Sequence, residues 1–225
     1  MNKINRIFMS LLGNRKKSRL PSGYTELEYI ENPSTAYINT GVTLNNSDSL
    51  QIHIDGFTCN TTSFSPIFGA LRAYSGVSHR IIFIYDGVGG TYQIRWASAE
   101  NFTRQNQIHQ NCTIDLNWTN GLQTHLITNG VTTINATTTQ TDASPIDLYS
   151  TYLFAYNNNG SQNIATHLVG NIGNFSLTQN GLKVIDYVPA QRDSDGVVGM
   201  YDLVSNTFKT SLSSDSFVAG PIKQL

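Results

Sequence analysis

The chain has 225 residues, of which only 13% are charged, and its formal net charge is −1. That length suits one large all-β domain, and its surface must be built from the abundant Asn, Thr, Ser and Gln rather than from ion pairs. No stretch approaches the ~20 apolar residues of a membrane span, and two cysteines, Cys59 and Cys112, are too few for a disulfide framework.

The net charge hides an asymmetry. Residues 1–25 hold Lys3, Arg6, Arg15, Lys16, Lys17 and Arg19 and no acid, whereas the rest of the chain holds eight bases and fifteen acids. A basic arm on an acidic body implies that the arm has its own partner. Within it, Ile4, Ile7, Phe8, Leu11 and Leu12 recur at i, i+3, i+4, i+7 and i+8, which predicts an amphipathic helix over 3–13. Gly13 and Asn14 would end it, and Arg15 to Arg19 form a basic linker up to Pro21. So short a helix is marginal alone in water; it needs a surface that covers its apolar face. The run from Ile7 to Gly13 follows a basic start, as in a secretory leader. No small-residue cleavage site follows, so a leader is not expected.

From residue 24 the period changes to two. Leu50, Ile52 and Ile54 alternate with Gln51, His53 and Asp55, and Ile81 to Tyr85 is a continuous apolar run. Residues 91–96 and 111–118 alternate again. Strands over 122–128 and 131–134 flank Asn129-Gly130, a hairpin signal because both turn residues need positive φ. Asn180-Gly181 likewise separates 174–178 from 182–188, and further strands are predicted at 152–156, 168–173, 199–204 and 206–210. Residues 87–90 read as a hairpin loop, and Asn157 to Asn163 as a loop by composition. Turn signals every 8–15 residues indicate a sandwich or barrel. Cys112 falls on the inward side of its alternating run, so free buried thiols are expected, with a Cys59–Cys112 bridge as the alternative.

Two bracketing stretches carry a family resemblance: Leu20 to Tyr24 with Leu27 to Ile30 near the start, and Ile185 to Ala190 with Asp195 to Leu203 near the end. With Tyr37-Ile38, Thr40-Gly41, Phe68 to Ala70, Tyr152 to Ala155, Asn159-Gly160 and Phe217 to Pro221, they make residues 20–221 resemble a concanavalin A-like (LamG-like) jelly-roll module. That module is common in bacteriophage virion proteins and in surface proteins of gut bacteria. The resemblance implies two antiparallel sheets packed face to face, with the domain ends in neighbouring strands. It also implies a structural or adhesive role, and it supplies no catalytic residues. Residues 1–19 are no part of it.

Several side chains invite a chemical reading. Glu26, Glu28 and Glu31 suggest a glycosidase, with Glu26 and Glu28 sharing a strand face, but solvated strand ends are the better reading. Asp193 and Asp195 beside Gly196 fit a turn stabilised by Asp side chains better than a Ca²⁺ loop. His53, His79, His109, His125 and His167 are scattered, none with a partner at metal-ligand spacing, so no metal or cofactor is expected. Tyr74, Tyr92, Trp96, Tyr149 and Tyr156 are candidates for stacking on sugar rings, with Asn158 and Asn159 holding hydroxyls.

Three readings are open for the arm: docking into a partner protein, lying on a membrane surface, or touching nucleic acid. Docking leads, through Ile4, Ile7, Phe8, Leu11, Leu12, Arg15, Lys16, Lys17 and Arg19, and neither a nucleic-acid partner nor a membrane span is expected. The expectation is therefore a basic anchoring arm (1–19) and an all-β, two-sheet jelly-roll sandwich (20–225). As a function it is a non-catalytic bacteriophage virion protein, a head fibre or capsid decoration. The arm would hold it to a capsid or other virion protein, and the sandwich would face host glycans from the virion surface. Trimeric self-association follows from analogy with fibre proteins. The alternatives are an extracellular or cell-surface carbohydrate-binding module of a gut bacterium, and a glycoside hydrolase.

Overall fold

The computed structural model describes residues 17–225, except 46, 60–63, 75–76, 87–90, 98, 106–111, 120–121, 129–132, 140–146 and 163–166. The predicted helix, with Ile4, Ile7, Phe8, Leu11, Leu12, Arg15 and Lys16, lies outside them. The described residues contain no helix. Their strands are β1 (Tyr24–Glu26), β2 (Ile30–Asn32), β3 (Ile38–Asn45), β4 (Leu50–Cys59), β5 (Phe64–Tyr74), β6 (Val77–Asp86) and β7 (Thr91–Ala97). Next come β8 (Ala99–Gln105), β9 (Cys112–Thr119), β10 (Leu122–Thr128), β11 (Thr133–Thr139), β12 (Asp147–Leu153), β13 (Asn157–Asn158) and β14 (Ser161–Gln162). The last are β15 (Gly170–Ile172), β16 (Phe175–Gln179), β17 (Leu182–Arg192), β18 (Val198–Asp202), β19 (Thr207–Lys209) and β20 (Val218–Ala219).

They form two sheets packed as a sandwich and not closed into a barrel. The first runs β11-β10-β9-β4-β16-β17-β18-β19, with β1, β2, β15 and β20 attached; the second runs β14-β13-β5-β6-β7-β8, with β12 and β3 joined to β5. Pairing is antiparallel apart from the two-residue contact of β13 with β5. The two ends of the sandwich lie in neighbouring strands, as expected: β2 pairs β20, and Leu27 bridges Ile222.

Alternation places the core. On β4, Leu50, Ile52 and Ile54 point inward, and on β9 Cys112, Ile114, Leu116 and Trp118 do the same. A bulge between Ile54 and Phe57, with Gly56 at φ 58°, inserts one residue so that Phe57 and Cys59 also turn inward. Phe68 from the second sheet meets Phe175 from the first at 5.2 Å between ring centroids, and both are fully buried. Cys59 and Cys112 are buried in this core as thiols, not joined in a disulfide.

The turns follow residue chemistry. Asn180 and Gly181 have φ of 50° and 80°, the two positive values a tight hairpin needs. Asn159 and Gly160, at 51° and 85°, do the same between β13 and β14, so the segment read as a loop is a small hairpin. β3 and β5 escaped the period-two reading because Gly41 (φ 76°) interrupts the first and a register shift after Pro66 the second.

Candidate functional site

Contacts gather where the sandwich domain is expected to begin. Leu20 packs with Val188, Ala190 and Tyr201. Glu26, only 4% exposed, holds the two ends of the sandwich together. Its carboxylate accepts from Ser18 Oγ and the Arg19 backbone N–H, each at 3.2 Å, and lies 3.5 Å from Arg19 Nη2 and 3.3 Å from Lys223 Nζ. Arg19 also donates to Asn174 Oδ1. Arg19, expected in the arm, is thus a fastening of the sandwich, and Lys17 just before it is exposed. Burial pushes the Glu26 carboxyl up, but the bonds from Arg19 and Lys223 outweigh it and hold the group below its ordinary value. A general acid needs the opposite shift. Glu28 is exposed while Glu26 is buried, so the two do not share a face, and Glu26 is not a solvated strand end.

The Asp193–Asp195 turn is internally satisfied. Arg192 Nε and Nη2 donate to Asp195 at 3.0 and 2.7 Å, the Val197 N–H donates to the same carboxylate, and Thr25 Oγ1 donates to Asp193. The Arg192 bond, then that of Val197, keeps the Asp195 carboxyl below its usual range. A cavity of about 380 Å³ beside this turn includes Asp195, Thr210, Ser213 and Asp215 in its lining. Both of its acids are already committed, Asp215 accepting from Thr35 Oγ1 at 2.6 Å. Among the described residues no three His, Cys, Asp or Glu side chains form a metal-ligand group.

The predicted glycan-stacking residues are not gathered together. Tyr74 ends β5, while Tyr92 and Trp96 lie on β7, beyond β6. Tyr156 is 9% exposed, so its ring is not open to a sugar. Tyr149 is 40% exposed, but its ring lies over the Asn159-Gly160 turn. Asn158 is half-buried on β13 and Asn159 is exposed at the turn. Asn157, only 2% exposed, fixes this hairpin by donating to Ser150 O and accepting from Gly160 N.

A different set of polar side chains does converge. On the outer face of the first sheet, Asp115 (β9), His53 (β4) and Ser176 (β16) are register partners in one row, and Asn117, Gln51 and Thr178 in the next. All six line a cavity of about 200 Å³. His53 Nδ1 lies 2.6 Å from Asp115 Oδ1, with both side chains about two-fifths exposed. An ionised carboxylate only accepts, so Nδ1 carries the proton and Nε2 is left for another partner. Ser176 Oγ makes no hydrogen bond to His53. The backbone of β4 is paired on both sides over 50–54, which leaves no free N–H groups there to stabilise an oxyanion. Among the described residues the arrangement offers side-chain donors and acceptors for hydrogen bonds. Sequence alternation shows Gln51 and His53 facing outward, but their neighbours come from strands more than 60 residues away.

Fold and site together define a two-sheet β-sandwich with a polar outer sheet face and with its first and last strands fastened together. No family model matches the chain, and no curated protein matches it. Among solved structures it is similar to the full extracellular region of zebrafish Gpr126/Adgrg6, at 13% identity and a TM-score of 0.43, over 88% of this chain and 26% of that one. It is also similar to scytalido-glutamic peptidase bound to a transition state analog inhibitor (7% identity, TM-score 0.31, 71% of this chain and 82% of that one). A third is SCP-B, a member of the Eqolisin family of peptidases (12% identity, TM-score 0.28, 90% and 100%). The chain spans about a quarter of the receptor region's length. At these scores none of the three bears on what this chain does. Among the described residues no helix is long and apolar enough to cross a membrane.

Proposed function

We propose that this protein is a non-enzymatic display module of a bacteriophage particle, a head fibre or capsid decoration. Its basic arm docks into a virion protein, and its sandwich faces outward toward host glycans; trimeric association would multiply weak glycan contacts. The observation that carries the reading is the Glu26 clamp, which fixes the point where the basic segment 1–17, with five bases and no acid, leaves an acidic body. A tether that starts from a rigid point transmits load to the sheet rather than unravelling it. Removal of residues 1–17, which spares the clamp, should abolish incorporation of the protein into particles while leaving its thermal unfolding unchanged. Normal incorporation of the truncated chain would overturn the proposal.

A further inference from the structure

We infer that the face formed by Asp115, His53, Ser176, Asn117, Gln51 and Thr178 is a binding site for a neutral, polyhydroxylated ligand, a chain of uncharged sugars. The inference rests on reading the sandwich as a binding module and supplies the contact face that reading lacks.

Two acids near the strand ends are spent on the fold. Asp48 accepts from Asn45 N, Gln179 Nε2 and Asn180 Nδ2, and Asp202 accepts from Asp186 N, Val204 N and the Ser205 hydroxyl. Among those six residues only His53 and Asp115 are bonded to each other. Within the described structure the side chains of Gln51, Asn117, Ser176 and Thr178 form no hydrogen bonds and are held by the strand register in two rows. Three strands at sheet spacing and two residues along each make a grid of about 10 Å by 7 Å. Its four unspent side chains are amides and hydroxyls, which both donate and accept, as sugar hydroxyls do.

Charge decides the class of ligand. The cavity lining contains no Lys or Arg, so an anionic ligand would meet no compensating cation, only the Asp115 carboxylate. Asp115 is hydrogen-bonded to His53, and beyond the lining Asp186 (partner of Ser176) and Lys183 (partner of Thr178) bond each other at 3.2 Å, so these charged side chains are already engaged. At the near end Leu126 pairs with Asp115 in register and is 41% exposed, offering an apolar surface for the C–H face of a ring.

The test uses the full chain in solution, so it needs no particle and its outcome is separate from that of the arm deletion. Gluco-, manno- and xylo-hexasaccharides and polygalacturonate are titrated by calorimetry and by amide shift mapping. The expected result is saturable binding of at least one neutral hexasaccharide, with shifts on β4, β9 and β16. Loss of two ligand bonds in Gln51→Ala/Asn117→Ala should weaken it about tenfold or more. Tyr149→Ala, on the other sheet, should leave it unchanged. Three results would overturn the assignment: no saturable binding to any neutral hexasaccharide, tighter binding of polygalacturonate, or sensitivity to Tyr149→Ala without sensitivity to the grid substitutions. Unfolding curves of each variant separate a lost site from a lost fold.

Discussion

Replacing Glu26 by Gln should loosen both ends of the domain at once. The substitution keeps the shape but removes the charge that Ser18, Arg19 and Lys223 share, and it points an amide donor at other donors. Bonds to a charged group are worth about 1.5–3 kcal/mol each when buried. Arg19 is 43% and Lys223 34% exposed, so water recovers much of that when the carboxylate is gone. A net loss of about 1–2 kcal/mol remains, which for a domain of this size lowers Tm by about 2–8 °C. The pH dependence has a definite sign. The folded carboxyl titrates below its unfolded value of about 4.3. Its contribution is therefore complete above that value and is lost as pH falls through the folded pKa. Thermal unfolding of both proteins should show the full gap at about pH 7 and a shrinking one below about pH 4. Hydrogen exchange should quicken at residues 19 and 223 before it does in the core. A gap that is absent at neutral pH, or equally large in strong acid, would refute the clamp.

Two further outcomes follow from packing. Gly170 has φ of 153° and its Cα faces the Thr58 carbonyl, where an added methyl has no room; Gly170→Ala should cost about 2–4 kcal/mol in urea unfolding, and a smaller loss would mean that β15 is not pressed against β4. Cys59 and Cys112, at 7% and 0% exposure, should resist maleimide in the native protein and react fully in denaturant, as mass spectrometry would record; rapid native labelling would show that this end of the core opens.

Much of the fold is local chemistry. The alternation of Leu50, Ile52 and Ile54, and of Cys112 to Trp118, gives strand identity and facing together. Asn180-Gly181 gives a hairpin because both residues take positive φ. Where the period is broken, at Gly41 in β3 and after Pro66 in β5, the strands are real but the pattern is not, since a bulge shifts every later side chain by one face. The hairpin at Asn159-Gly160 was hidden for a different reason: its polar composition reads as a loop, while Asn157 supplies its bonds from a buried position.

The amino-acid sequence by itself determined the all-β class, the separation of a basic segment from an acidic body, and which face of each regular strand is wet. Those properties depend on neighbours within a few residues, where side-chain period and charge are read directly. Only the tertiary structure decided what the wet residues meet. It drew Arg19 out of the arm and onto Glu26, buried Tyr156, and set Asp115 and Ser176 on either side of His53. Strand order and register make those contacts, and they arise from burying one face of every strand against a second sheet, a constraint that involves the whole chain at once.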